Sequence, residues 1–420
     1  MAVTYQNKDH WYLFLLFPFL AGVVAIKNYK ASWAKNIIWA FIVFYGFTIS
    51  ISNESSKNDK TADINRYAMQ VKDLYKTDLK FQDVVKLYQD NEDIDILKLT
   101  IAIVISRVTD SPQVLAGVFG LIFGFFFSRN IWFVIERING KMKPVVLLLL
   151  VAYVLVDPFW NINGFRFHTA TQVFIYGLLP FIFEGKKKGI FTSALSILVH
   201  FSFMLPLGIL ILYSFFGNRT MIYFIFFLAS IVNSGINIEA LNNFISENVP
   251  GAVADRTATY RNEEKVEEFR SGTDDPDASP VNWYMRLYRM ALQWPLIVFL
   301  SILFFKRKKM ALVNKRFMSS LSFTLLFFGV ANIMASLPSG GRFLAIAALS
   351  ALPLIIFYIQ DIPNEKYLTN KVMIASPALL LFIIVSIRIG FLTISVNTLI
   401  GNPLVVMFTE YNIALDELIK

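Results

Sequence analysis

Residues 144–160 read Pro-Val-Val-Leu-Leu-Leu-Leu-Val-Ala-Tyr-Val-Leu-Val-Asp-Pro-Phe-Trp, an apolar run closed by an acid, a proline and two aromatic rings. It lacks the period-two alternation of a half-buried strand, and its length suits a helix through a bilayer, which needs roughly 20 apolar residues. Working outward, comparable runs lie at 11–26, 33–52, 111–128, 165–184, 190–216, 219–238, 290–305, 317–336, 342–360 and 371–389. Lipid offers the backbone no hydrogen bonds, so spanning segments are helices or a closed barrel, and the missing alternation selects helices. The expected fold is all-α: a polytopic integral membrane helical bundle, with residues 1–420 as a single membrane domain.

Composition agrees. Hydrophobic residue types make up 56% of the chain and charged types 16%, against about 25% charged in an average soluble domain. The mean hydropathy is +0.55. A chain this long and apolar cannot hide its side chains in one water-soluble core. The formal net charge of +9 sits in short clusters beside the apolar runs, such as Lys186–Lys188 and Lys306–Lys309. That is the orientation signal of membrane proteins, and no basic-aromatic stripe suggests a nucleic-acid partner. The absence of cysteine excludes disulfides, thiolate nucleophiles and cysteine-based metal sites. No His, Asp and Glu residues have metal-ligand spacing, so no metal or cofactor is expected. The first run, Trp11 to Ile26, lacks a basic leader and a small-residue cleavage site, and is read as a retained helix.

Lysine and arginine in the short loops orient the crossings. Lys27, Lys30 and Lys35, then Arg129, Arg137, Lys141 and Lys143, then Lys186–Lys188, Arg219 and the 306–316 cluster are placed on the cytoplasmic side. The crossings agree with this as far as Lys188, with the N-terminus and the polar loop 53–93 outside. Segment 190–216 decides the rest. A single crossing would put Arg219 and the 306–316 cluster outside. Two short helices that enter and return, with the turn near His200–Phe203, keep both inside and make 239–289 an external loop. The second arrangement satisfies every loop and is preferred. Helices of about 13 residues are too short to cross alone and must be buried in protein or line a cavity. The expected count becomes about twelve crossings, with both termini outside. Residues 94–109 are read as an amphipathic or short buried helix. Loop 53–93 has helical spacing in Ile64, Tyr67, Val71 and Leu74, and loop 239–289 carries Glu263–Glu264, Glu267–Glu268 and Asp274–Asp275.

Polar residues at membrane depth are costly and mark function by default. The richest group runs from Asp157 to Arg166, with His168, Thr169 and Gln172 following. Asn163–Gly164 supplies a turn beneath which a helix starts, and Arg166, Thr169 and Ala170 share one face of it. A guanidinium at a helix start can grip phosphate oxygens in a fork. Arg342 opens another helix after Pro338-Ser-Gly-Gly, whose glycines allow close backbone approach. His200 interrupts an apolar run at the expected re-entrant tip. With an ordinary pKa of about 6.5 a histidine is largely neutral at neutral pH and can act as a base. His168 falls on a different helix face from Arg166. Asp63 and Tyr67 stand at i and i+4 with Arg66 beside them, an acid-aromatic pair suited to sugar hydroxyls and ring faces. Arg286 and Arg289, at i and i+3 on an amphipathic helix, suit phosphate or lipid headgroups. Each feature has a plainer reading: snorkelling arginines, a packed histidine, a solvated helix face.

In order along the chain these residues resemble the EpsG-like or Wzy-type polysaccharide polymerases of bacterial O-antigen, capsule and exopolysaccharide assembly. Two opening spans joined by a basic loop precede Asp63-x-x-x-Tyr67, which is similar to the family's Gly-x-Asp-x-x-x-Tyr. Asn163-Gly-Phe-Arg166 with Thr169–Ala170 is similar to Asn-Gly-x-Arg-Gln-x-x-Ala. Val199-His-Phe-Ser202 is similar to Phe-His-x-Ser, and a late Arg342 opens a helix. The resemblance covers about residues 11–216 well and the rest loosely. It departs where Lys60-Thr-Ala62 lacks the glycine and Phe167–His168 replaces the glutamine.

The resemblance implies a GT-C-like glycosyltransferase in the bacterial cytoplasmic membrane with its site facing outward. It would move an undecaprenyl-pyrophosphate-linked glycan chain onto a sugar hydroxyl of a lipid-linked repeat unit, without a metal. The implied catalytic residues are His200, Arg166, Arg342 and Asp63. Tyr67, Arg66, Asn163, Thr169, His168, Arg286 and Arg289 would contact substrate, and a chain-length regulator protein is an implied partner. Two alternatives differ in detectable ways. An O-antigen ligase would carry a larger external loop with paired arginines and a histidine near its end, whereas here the histidine precedes the loop. A transporter would need charges along a midplane path and an internal repeat.

Overall fold

The computed structural model describes residues 9–50, 63–77, 85, 95–232, 242–243, 247, 283–313, 315–406 and 413–419. Among them every regular element is helical, apart from one antiparallel bridge between Ser395 and Ala414. Six helical stretches are long and apolar enough to cross a membrane: Pro112–Ile135, Pro144–Glu184, Leu287–Phe305, Arg316–Met334, Gly340–Asp361 and Tyr367–Gly390. Shorter apolar helices are Pro18–Lys27, Ala34–Thr48, Ile96–Ser106, Lys188–Val199, Phe201–Phe216 and Thr220–Val232. This is the architecture of a helical membrane protein.

Burial sorts the helices. Phe343–Asp361 is apolar on all sides and is enclosed, with Ile346, Leu352, Ile355 and Tyr358 fully buried. Tyr367–Gly390 and Thr220–Val232 lie outside, leaving Ile374, Ile384 and Ile222 more than 60% exposed. Exposing such a side chain to water forfeits about 1.5–3 kcal/mol. A lipid surround removes that cost, so this apolar belt belongs against acyl chains.

Proline sets several boundaries. Pro18 lacks the N–H that a continuing helix needs, so the run expected over 11–26 divides into Asp9–Leu16 and Pro18–Lys27. The run expected over 144–160 stops at Val156, because Asp157 precedes Pro158 and leaves the helical region at φ −139°. A 3₁₀ turn, Phe159–Gly164, then leads into helix Phe165–Glu184, so Pro144–Glu184 is a hairpin of two helices. The helix expected over 94–109 is Ile96–Ser106. The run expected from 290 begins earlier, in helix Trp283–Phe305. The acidic pairs Glu263–Glu264, Glu267–Glu268 and Asp274–Asp275 lie outside the described residues.

The basic loops gather at one end of the bundle. Lys35 pairs with Glu136 at 2.9 Å, Arg137 and Lys186 both pair with Glu184, and Lys306 pairs with Glu365 at 2.7 Å. Burial raises the Glu365 carboxyl, but the Leu368 N–H and the Lys306 ammonium outweigh it and hold the group below its ordinary range. Segment 188–216 enters from this end and returns to it. Helix Lys188–Ala194 crosses Phe165–Glu184 where a Cβ on Gly177 would overlap the Gly189 carbonyl oxygen, so only glycine permits the approach. Ser193 fastens the crossing by donating to the Phe174 carbonyl at 2.9 Å. The chain turns at His200, which is extended at φ −152° and ψ 119°. Helix Met204–Phe216 then runs back, and Tyr213 near its end packs on Phe181 and lies 3.0 Å from the Ser319 carbonyl. His200 is therefore the tip of a re-entrant pair. Arg166, at the start of Phe165–Glu184, lies about 27 Å from Glu184 by the rise of the helix, close to the roughly 30 Å hydrocarbon thickness of a bilayer.

Candidate functional site

At the end opposite the basic loops, one carboxylate collects three partners. Asp95 immediately precedes helix Ile96–Ser106 and is 3% exposed. Its Oδ2 accepts from His200 Nδ1 at 2.9 Å and from Arg166 Nη1 at 3.1 Å, and its Oδ1 accepts from the Phe201 N–H at 3.0 Å. Burial raises the Asp95 carboxyl, but the His200 hydrogen bond and charge, the Phe201 N–H and the Arg166 guanidinium together hold it below its ordinary value. The extended backbone at His200 presents the Phe201 N–H to the carboxylate.

Helix Asp63–Lys76 is drawn into the same cluster. Arg166 Nε donates to the Tyr67 hydroxyl at 2.9 Å, and the Tyr67 ring is flanked by Arg166 Cζ at 5.9 Å and Lys98 Nζ at 5.1 Å. Helix Asp63–Lys76 buries the face predicted by spacing, Ile64, Tyr67, Val71 and Leu74. Its first turn is anchored by Asn163 Oδ1, which accepts from the Ile64 N–H at 3.3 Å. Tyr67 meets Phe119 edge-on, and Phe119 stacks on Phe165 at 3.8 Å, one residue before Arg166. Asp63 pairs with Arg66 on the same helix.

A second carboxylate–histidine pair lies one helical step away. Asp157, with a side chain 1% exposed, accepts from His168 Nδ1 at 2.6 Å. Its remaining contacts are neutral amides: Asn161 Nδ2 at 2.9 Å and Gln172 Nε2 at 2.7 Å. Gln172 is held in turn by Asn130, 2.8 Å away. With Nδ1–H donated to the carboxylate, Nε2 of His168 is the basic nitrogen. Among the described residues, Nε2 makes no hydrogen bond. His168 Cδ2 and Asp63 Oδ2 lie 3.0 and 3.9 Å from the place a Cβ on Gly164 would take, so a side chain there would displace the imidazole.

His168 faces a cavity of about 410 Å³. Its deep wall is apolar, formed by Leu155, Leu296, Phe328 and Ala348, while Asn161, His168, Arg289, Gln293 and Arg342 supply polar groups. The Arg342 guanidinium lies over the Phe167 ring at 5.7 Å. Among the described residues, no carboxylate pairs with Arg342 or Arg289. Phe167 separates the two clusters: its ring meets His168 edge-on at 5.6 Å and His200 at 6.0 Å.

The candidate residues thus fall into two groups. Arg166 and His200 hold Asp95, with Tyr67 on Arg166 and Asn163 anchoring the helix that carries Tyr67, while His168, Arg342 and Arg289 share the cavity. Asp63 and Arg66 pair with each other, and Asp63 lies near Gly164, outside the cavity lining. Thr169, expected on the Arg166 face, is fully buried, and among the described residues its hydroxyl has no hydrogen-bond partner. It packs in the helix interface and not on the cavity. Arg286 lies in helix Trp283–Phe305 with its side chain outside the described residues. Of the glycine pair, Gly341 lines the cavity, but Gly340 is pressed against the Met334 carbonyl and serves packing. Asp95 was not singled out by spacing. The signal available was its place as the last acid before an apolar run. Asp157 was visible as part of its group, but nothing local showed that His168 is its partner. Among the described residues, no three His, Asp or Glu side chains gather as metal ligands. Comparison with known protein families, curated proteins and solved structures finds no match to this chain.

Proposed function

We propose that this protein is a membrane polysaccharide polymerase of the Wzy or EpsG type, with about twelve crossings and the GT-C style of membrane-embedded glycosyltransferases. It acts at the outer face of a bacterial cytoplasmic membrane. The donor is a glycan chain on undecaprenyl pyrophosphate, and the acceptor is the sugar hydroxyl of a lipid-linked repeat unit. The observation that carries this reading is the cavity. It joins an apolar wall, suited to a polyprenyl chain, to Arg289, Arg342 and a carboxylate-backed histidine. That combination suits a lipid whose head is a pyrophosphate.

The chemistry follows from these groups. Charge develops on the pyrophosphate as the glycosidic bond breaks, and preorganised guanidinium groups in a partly dry site stabilise it. An imidazole held by a carboxylate takes the acceptor proton. Helix Asp63–Lys76, docked beside both clusters, presents Asp63 and Arg66 where a glycan leaving the bilayer would pass.

The test is direct. Purified protein in vesicles is given a synthetic polyprenyl-pyrophosphate-linked repeat unit, and a ladder of longer lipid-linked glycans is expected. No extension by the wild-type protein refutes the reading. Transfer to a lipid core with no ladder would make the protein a ligase.

A further inference from the structure

The described residues contain two carboxylate–histidine pairs, and the resemblance points to His200 as the catalytic one. We infer that the Asp157–His168 pair is the proton-accepting site of the transfer and that Asp95–His200 positions Arg166 and the re-entrant tip. This inference rests on the polymerase reading and deepens it.

Three observations separate the pairs. The first is place: His168 lines the 410 Å³ cavity together with Arg289 and Arg342, and His200 does not. The second is charge balance. Asp95 is countered by the Arg166 guanidinium at 3.1 Å as well as by His200. Asp157 has no lysine or arginine within ion-pair distance among the described residues, and its other partners are the amides of Asn161 and Gln172. A carboxylate 1% exposed and matched only by neutral groups lacks a counter-cation. An imidazolium formed on His168 during transfer would stand directly against this carboxylate. The third is rigidity. Both Asp157 oxygens are tied, and the chain of amides continues through Gln172 to Asn130 on helix Pro112–Ile135, which fixes the carboxylate and through it the ring. Charged groups near His168 are Asp157 at the end of helix Pro144–Val156, Asp63 beside Gly164, and Arg342 and Arg289 across the cavity.

The step balances as follows. The acceptor oxygen forms a bond to the donor's anomeric carbon as the bond from that carbon to the phosphate oxygen breaks. The bonding pair leaves with the pyrophosphate, and the acceptor proton passes to Nε2 of His168. Asp157 holds Nδ1–H throughout and stabilises the resulting cation. His168 is thus a catalytic residue and Asp157 a positioning residue.

The experiment measures single-turnover transfer of a synthetic polyprenyl-pyrophosphate-linked repeat unit by reconstituted full-length protein, normalised to donor bound. His168→Gln keeps size and a hydrogen bond but is no base. Its rate is expected to fall about 10²–10⁴-fold while donor binding stays within a few-fold. Asp157→Asn, which favours the wrong tautomer, should lose rate in the same way. A rate within a few-fold of wild type in His168→Gln, or a larger loss in His200→Gln than in His168→Gln, overturns the assignment. A wild type that transfers nothing overturns the polymerase reading, and the role of this pair with it.

Discussion

Asp95 accepts a hydrogen bond from His200 at 2.9 Å across 105 residues of sequence, tying the approach to helix Ile96–Ser106 to the tip of the re-entrant pair. Removing one member of a buried charged pair costs about 3–5 kcal/mol, because the other is left uncompensated. Asp95→Asn is therefore expected to lower the unfolding midpoint clearly, read by tryptophan fluorescence in detergent. The pH dependence has a definite sign. The Asp95 carboxyl is held below its ordinary value in the folded protein. Its contribution is thus full above the unfolded value of about 3.9 and is lost as pH falls through the lower folded value. The wild type's advantage over Asp95→Asn should shrink as pH drops below about 4. An advantage that stays constant down to that range would mean the carboxylate is not the stabilising group.

The two arginines are expected to fail differently when changed to lysine. Arg166 forks between Asp95 and the Tyr67 hydroxyl, and an ammonium cannot reproduce both bonds. Arg166→Lys should lose thermal stability and loosen helix Asp63–Lys76, seen as faster proteolysis in that helix. Arg342 has no carboxylate partner among the described residues, so Arg342→Lys should keep its stability and lose about tenfold or more in donor binding, on the order of 1.4 kcal/mol. Equal loss of stability in both variants would contradict this division.

Sidedness can be read by thiol labelling in the cysteine-free chain. Asp110 precedes helix Pro112–Ile135 at the site end, and Lys308 belongs to the basic end. An impermeant reagent should label Asp110→Cys in intact cells and Lys308→Cys only after lysis. The opposite pattern would invert the protein in the membrane.

The crossing at Gly177 and Gly189 has no room for a side chain. Gly189→Val should push helix Lys188–Ala194 away from Phe165–Glu184, with overpacking costing about 1–3 kcal/mol. Because the re-entrant tip hangs from this crossing, the His200–Asp95 contact should weaken as well. Lower thermal stability together with impaired transfer is expected, and wild-type values for both would show that the crossing does not hold the tip.

Much of this was legible because it is local. The unbroken apolar runs give helices, and the i, i+3, i+4 spacing of Ile64, Tyr67, Val71 and Leu74 gives the face that is buried. His200 marks a break because a polar side chain interrupts an apolar run. The pairings were not legible, since they join distant segments. Asp95 sits in the acidic stretch Asp90-Asn-Glu-Asp-Ile-Asp95, where any carboxylate looks solvated, and only the fold shows that this one is enclosed. The sequence places His168 off the Arg166 face and gives it only a substrate contact, yet that different direction is what brings it to Asp157 and the cavity. Thr169 erred the other way, since sharing a face with Arg166 carries it into the helix interface.

Phe167 stands edge-on between His168 and His200, and a phenyl ring neither gives nor takes a proton. It acts as an insulator. Two acid–imidazole couples that could have formed one conducting wire are instead two separate terminals. Under the proposed reaction, a proton taken up by His168 would have no hydrogen-bonded route through the Phe167 ring to the ion pair that anchors the tip.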